Sequence, residues 1–465
     1  MSDAMTAARV RLPSTDIAWL AAAAFAGVLA GTSSAFGVAG AIVLGVVGIG
    51  LLILVVGAVL TSPERGMWLM LIAIPLDTAG RLITSPIVVT VYQVILLLTL
   101  GAWGLRWLTD PETARPRWSV LDIGIATLIA GALWSLPGSL APAATAISAL
   151  RLVFLWFFFL LFVTWIRNES SLQRIISIVV GTSCLTSLVA LVQYAVPDLP
   201  LGYTHQQVAV GGIFVRPAAF FDDPNYLATM LSIGIIAAIG MAIAARRAAH
   251  SVVWLLTVVV MSGGLFVTFS RTGWLGVMFG LVPLILTARP NRRRWLLAAS
   301  AVLVVVALLA APGALVSRLA SIGDVDGDAS VRTRYLMLAS SVEMIDEHWV
   351  FGTGLSAYEK AYPPYRLLGA RPDILKPHQL PLAMWIEMGI VGLLAELLII
   401  GGVVWMLVRR RHRGWNAYEA IGLACLLAIL VQSLFQYYLY FEYLWLSMAL
   451  IAVATRLPAS TEEVS

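Results

Sequence analysis

Charge is what this sequence has least of. Aspartate, glutamate, lysine and arginine together supply 12% of its 465 residues, where a soluble globular domain gives them about a quarter. Lysine is nearly missing, with Lys360 and Lys376 the only two, so the net charge of +5 comes from arginine. A charge so small and so scattered reads as membrane topology rather than nucleic-acid affinity. Cysteine is equally scarce. Cys184 and Cys425 both lie inside apolar stretches without the companions that a zinc or redox motif requires, so neither points to a function. Internal repeats are missing, and so is any stretch with the composition of a soluble domain.

What is present is apolar sequence. Hydrophobic residues make up 60% of the chain, more than a globular core needs. They fall into runs of roughly 18 to 24 residues, long enough to cross a hydrocarbon layer of ~30 Å as helices. Reading these runs between charged or turn-rich breaks gives about fourteen candidate spans. They lie near 17–36, 38–60, 66–83, 86–108, 120–138, 143–166, 172–196, 224–244, 251–269, 271–288, 295–314, 381–408, 416–434 and 436–456. The expected fold is therefore all-α: a polytopic integral membrane bundle forming one membrane domain over 1–465. The run at 17–36 is longer than a signal peptide's core and lacks a cleavage site, which predicts a retained first span. The run at 66–83 carries Pro75, Asp77 and Arg81, which predicts a broken or re-entrant segment buried against its neighbours.

Arginine gives the orientation, because short cytoplasmic loops are enriched in positive charge. Arg9 with Arg11, Arg65, Arg106 with Arg115 and Arg117, Arg167 with Arg174, Arg246 with Arg247, the run from Arg292, and the run from Arg409 all fall on one side. That side is assigned to the cytoplasm, together with both termini. The segments 197–223 and 315–380 are then external. The second holds the acidic stretch with Asp324, Asp326 and Asp328, whose spacing resembles a calcium loop without its glutamate, so it is read as a solvated loop. It also holds a predicted surface helix, with Tyr335, Leu338, Val342, Ile345 and Trp349 at helical spacing, suited to the membrane-water interface or to packing over the spans.

This orientation brings Arg216, Arg271, Arg334 and His378 to the outer face. Pro217 holds Arg216 extended, and the following DDPN reads as a helix start with Asp223 as N-cap and Pro224 at the first helical position. Arg271 sits in the break between two antiparallel spans, where a guanidinium is costly unless it meets a wet cavity, a carboxylate or an anionic ligand. Taken singly, an outer arginine more often pairs with a lipid phosphate or is solvated, and a lone histidine is more often a satisfied interfacial residue than a catalyst. Convergence is what carries weight. Arg151 and Glu387, both within spans, suggest a helix-to-helix pair or a polar cavity, and the aromatic run from Tyr437 to Trp445 suggests an outer aromatic belt.

These residues resemble a known family. His378 and Gln379, then nine residues, then Gly389 and Gly392, are similar to the histidine motif of the O-antigen ligase and polymerase superfamily. Arg216 before an aromatic-proline-asparagine helix start, the Ser270–Arg271 pair, Arg334 on a surface helix, and the turn with Gly352 and Gly354 follow in the family's order. The resemblance covers roughly the C-terminal half, from Arg216 to Gly392. Two departures stand out: Leu338 occupies a position where the family often has tryptophan, and the span count exceeds the usual twelve.

The resemblance implies a fold like that of GT-C type membrane glycosyltransferases. It implies a bacterial inner-membrane enzyme that takes a glycan from undecaprenyl diphosphate at the external face and joins it to an acceptor hydroxyl, with no cofactor or metal. Lipid A-core is the acceptor of a ligase, and another lipid-linked repeat unit that of a polymerase; the His378–Gln379 form leans toward ligase. Arg216 and Arg271 are assigned to the diphosphate leaving group, since a guanidinium fork binds phosphate oxygens bidentately. His378 is assigned as general base, and Arg334 and Gln379 as substrate contacts. From another class, a lipid-glycan transporter or flippase would spread its polar residues through the bilayer midplane and show pseudo-symmetric halves, which are not found.

Overall fold

The structure, a computed structural model, describes residues 55–84, 88–197, 202–209, 212–245, 247–288, 329–369, 379–410 and 415–457. The candidate spans at 17–36 and 295–314, most of 38–60, the acidic cluster at 324–328 and His378 lie outside the described residues. Helices dominate: α1 Pro63–Ala73, α2 Val91–Thr109, α3 Leu121–Trp134, α4 Pro142–Trp165, α5 Glu169–Ala195, α6 Pro224–Ala244, α7 Ala248–Val267, α8 Arg271–Thr287, α9 Ala329–His348, α10 Leu380–Arg410, α11 Ala417–Ser433 and α12 Glu442–Ala454. Two short antiparallel hairpins interrupt them, β1 Arg81–Ile83 with β2 Val89–Thr90 and β3 Tyr203–Ala209 with β4 Gly212–Ala219.

Among the described residues, α2, α4, α5, α6, α7 and α10 are long and apolar enough to cross a membrane, and α3, α8, α11 and α12 are shorter apolar helices. The chain is a polytopic helical membrane protein. Helix starts follow local chemistry. Asp223 caps α6 by accepting from Asn225 N at 2.7 Å, with Pro224 first in the helix. Asn168 caps α5, and Asn416 with Glu419 forms a reciprocal capping box on α11. The third candidate span does not continue as one helix. Its helix ends at Ala73 and gives way to a 3-10 turn over Ile74–Leu76 and then to the first hairpin, the interruption foreshadowed by Pro75, Asp77 and Arg81.

With lipid as solvent, burial of apolar surface gives helices little reason to associate, so close packing takes over and small residues gather at the contacts. Gly234 and Gly264 lie against Ser183 and Ser187 where α6 and α7 meet α5, and Ser187 Oγ donates to Val260 O at 2.8 Å. Gly276 and Gly280 of α8 lie against Gln432 and Ala424 of α11, and Gly124 and Gly131 of α3 against Ile399 and Val391 of α10.

One end of the bundle is an arginine-tryptophan layer. Arg106 and Arg167 flank the Trp165 ring, each 5.6 Å from its centroid. Arg174 covers Trp68 at 4.8 Å, and Arg456 donates to Trp118 O. Helix α5 begins at this layer, and its 27 residues carry the chain about 40 Å to the other end. There the two hairpins lie.

Candidate functional site

The site is built at that far end, around the start of α6. In the β3–β4 hairpin Arg216 stands opposite His205, and Ala219 opposite Tyr203. Gln193, near the end of α5, grips Ala219 twice, accepting from its N at 3.0 Å and donating to its O at 3.3 Å. Thr78 adds main-chain and hydroxyl bonds to Phe220 O at 2.9 and 2.5 Å. These bonds fix the strand that carries Arg216. Its guanidinium donates from Nε to Thr268 O at 2.7 Å and from one terminal nitrogen to Asn225 Oδ1 at 3.4 Å. The same Asn225 oxygen accepts from Ser270 Oγ at 2.8 Å. Ser270 caps α8, and Arg271 is the helix's first residue, half-buried. Arg216 and Ser270, 54 positions apart in sequence, thus converge on one asparagine at the start of α6.

A hydrogen-bonded ladder runs from this centre to α10. Tyr226 OH donates to Tyr437 O at 3.0 Å, and Tyr437 OH donates to Glu387 Oε2 at 2.9 Å. Glu387 is 2% exposed, and its carboxylate also accepts from the main-chain N–H groups of Ser356 and Tyr358. Thr229 Oγ1 lies 2.8 Å from Gln432 Oε1 and 2.7 Å from Tyr438 OH, closing the inner side. Helix α10 is broken at Gly389, which packs against Val350 and Gly352 of the turn after α9. The glycines of both motifs are therefore the two faces of one backbone contact.

A third arginine stands nearby. Arg151, on α4, places its guanidinium 4.6 Å above the Tyr440 ring. Of the two readings of Arg151 and Glu387, a helix-to-helix pair or a polar cavity, the pair does not form: Glu387 is held by Tyr437 and the 356–358 main chain. The aromatic belt expected from Tyr437 to Trp445 is also corrected. Tyr438, Phe441, Tyr443 and Trp445 are buried, because the segment folds back over α6 and turns its rings inward.

At the rim, Arg81 pairs with Asp222 and, at 3.3 Å, with Asp77, and His205 Nε2 lies 2.5 Å from Asp222 O. Burial pushes the Asp77 carboxyl above its ordinary range, with the Arg81 charge opposing. For Arg81 burial works downward, but the Asp222 and Asp77 carboxylates outweigh it and hold the guanidinium firmly charged. On the α9 side, burial and the Glu347 carboxylate push the Tyr365 phenol to about 12. Among the described residues, no group of three histidines, cysteines or carboxylates could hold a metal ion together.

Of the residues anticipated from sequence, Arg216 meets Ser270 on Asn225, and Arg271 follows Ser270 as the first residue of α8. Gln379 is half-buried, one residue before α10, and Arg334 lies in α9; His378 lies outside the described residues. Sequence reading missed Asn225 as the hub, the role of Tyr437, and the Arg81 clamp. Asp77 and Arg81 did signal themselves, as charges inside an apolar run.

Residues 256–397 match the model of a family described as O-antigen ligase. No curated protein matches the chain.

Proposed function

Taking as premise that residues 256–397 fall in the O-antigen ligase superfamily, we propose that this chain transfers a glycan from undecaprenyl diphosphate to an acceptor hydroxyl at the external face of a bacterial inner membrane. The family match supports a membrane glycosyltransferase-like enzyme acting on lipid-linked glycans. The observation that carries the finer reading is the meeting of Arg216 and Ser270, the neighbour of Arg271, on Asn225, at the end opposite the arginine-tryptophan layer.

In this reading the acceptor oxygen attacks the anomeric carbon while the bond from that carbon to the diphosphate oxygen breaks. The electron pair leaves on the diphosphate, and the acceptor's proton passes to the imidazole of His378. One displacement inverts the anomeric centre. Arg216 and Arg271 stabilise the charge that grows on the leaving group, a task for preorganised donors in a site shielded from water, and they take the place a divalent cation would otherwise fill. Arg334 and Gln379 contact substrate. The 197–223 hairpin and the 315–380 segment are external, and both termini cytoplasmic. Ligase is favoured over polymerase by the histidine-glutamine form of the motif.

The test is incubation of the purified protein with lipid-diphosphate glycan and candidate acceptors, resolving products by size. A single added block supports a ligase and a ladder a polymerase; no transfer to any acceptor would sink both. His378→Ala should lower turnover by ~10² to 10⁴, the usual contribution of a positioned base, and leave donor binding near the parent's. Transfer should fall as the medium is acidified through the range in which imidazole protonates. Loss of donor binding in step with activity would make His378 a diphosphate ligand instead.

A further inference from the structure

Arg151 lies nine residues into α4 from Pro142, about 14 Å along the helix axis. An arginine at such depth in an apolar span is expensive unless it faces a partner, a cavity or an anionic ligand. The partners near it are already engaged. The Glu442 carboxylate feels the Arg151 charge but takes its hydrogen bonds from Tyr92 and from its own main chain. Asp77 also lies within the field of Arg151 but is bonded to Arg81. Among the described residues the Arg151 guanidinium has the Tyr440 ring beneath it and no hydrogen bond or carboxylate within 4 Å. The side chain is exposed.

Its platform is held in place. Tyr440 OH lies 3.1 Å from Ser356 Oγ, which lies 2.9 Å from Ser148 Oγ, one turn before Arg151 on the same helix. Stacking on a ring face fixes the plane of a guanidinium while leaving its edge of N–H donors available. The Tyr440 ring lies 5.9 Å from that of Tyr437, whose carbonyl accepts from Tyr226 OH, and Tyr226 follows Asn225, the residue that holds Arg216 and Ser270. Arg151 therefore borders the same polar centre from the side of α4.

We propose that Arg151 is a third arginine of the lipid-diphosphate site, donating from its tyrosine platform to phosphate oxygens of the donor. This rests on the function proposed above and extends it with a residue outside the matched segment. The competing role is purely electrostatic: Arg151 would only offset the buried Glu442.

The two are separated by measuring binding of undecaprenyl diphosphate to the full-length protein in detergent, for the parent, Arg151→Gln, Arg151→Lys, Glu442→Gln and the Arg151→Gln/Glu442→Gln double variant. Thermal melting reports folding for each. A lost charge-assisted contact to phosphate predicts about tenfold weaker binding in Arg151→Gln, with Arg151→Lys intermediate because the planar fork is gone. The double variant should stay weak. Binding within twofold of the parent in Arg151→Gln, or restored in the double variant, overturns the proposal. Should Arg151→Gln fail to fold, Arg151→Lys decides: binding equal to the parent's in that variant also overturns it. Phosphatidylglycerol added as competitor distinguishes sources of phosphate, and equal displacement by it would make the site a general headgroup contact and overturn the assignment. If the parent itself binds no lipid diphosphate, the functional reading falls first; if the parent binds and Arg151→Gln binds equally, only the role of Arg151 falls.

Discussion

Gly389 has a backbone that side chains cannot adopt. With φ 62° and ψ −152° it occupies a region that is essentially glycine's alone, and an added Cβ would overlap the Val350 carbonyl oxygen. Across the contact, Gly352 has φ 72° and a Cβ there would fall 2.6 Å from Gly389 N. Gly389→Ala should therefore destabilise the protein by about 1–3 kcal/mol from backbone strain alone, read as a lower melting midpoint in detergent. Gly101→Ala, where nothing lies within 4 Å, should leave the midpoint unchanged. An unaltered midpoint in Gly389→Ala would refute the steric reading of the motif. The glycine spacing was visible in sequence, but its reason was not, because the partner turn lies over 35 residues away and no local pattern reports that distance. Glu387 is similar. Its charge marked it as unusual, yet its partners Tyr437, Ser356 and Tyr358 come from two other segments. Glu387→Ala leaves those three donors without their acceptor and should lower both midpoint and transfer, whereas Glu387→Gln keeps one carbonyl oxygen and should lose less of each. Equal losses in the two variants would contradict this.

At the scale of elements, helices read well and their contacts poorly. The start of α6 was legible to the residue, since Asp223, Pro224 and the extended Arg216–Pro217 step each constrain the backbone locally. The runs at 143–166, 224–244, 251–269 and 381–408 correspond closely to α4, α6, α7 and α10, because hydropathy over a span's length is a property of the span alone. The inward turn of the tyrosines from Tyr437 to Tyr443 was illegible, since an aromatic cluster at a hairpin has the same composition whether it faces lipid or the protein interior. Helix α9 carries two faces: Met337 and Met344 are buried against Tyr358, Tyr362 and Ile386, while Tyr335, Val342 and Trp349 are exposed. The stripe expected from sequence takes in the second face together with Ile345, which packs against the buried cluster, and passes over Met337 and Met344, where Ser340 and Ser341 break the hydrophobic pattern. Contacts between elements rest on small residues. Gly276→Leu would drive a side chain into Gln432, so it should separate α8 from α11 and cost about 1–3 kcal/mol by overpacking. Because α8 begins at Ser270 and Arg271, this variant should also weaken donor binding although it lies a turn or more from the site. Melting and binding both unchanged would show that α8 is not held by this contact.

For the whole molecule, the two ends differ in chemistry, and that difference makes orientation testable. Arg106, Arg167, Arg174 and Arg456 form one end with tryptophan rings and carbonyl oxygens as their partners, the arrangement expected where a bundle meets a headgroup layer. Arg81, Arg216 and Arg271 lie at the other, joined to carboxylates, to Asn225 and to a helix start. A transporter would spread such groups along a path through the midplane; here Arg81, Arg216 and Arg271 keep to one end, with Arg151 deeper along α4. Because positive charge is retained in the cytoplasm, reporters fused after Arg247, Arg294 and Arg411 should read cytoplasmic, and reporters within 197–223 and 325–375 should read external. Cysteine labelling gives an independent measure, since both native cysteines lie within apolar helices, and a cysteine placed at Lys360 should react with an impermeant maleimide in intact cells. Protection of that position until the membrane is opened would put the Arg216–Asn225–Ser270 centre on the cytoplasmic side. The donor glycan would then have to be used before it crosses the membrane, and external transfer would be untenable.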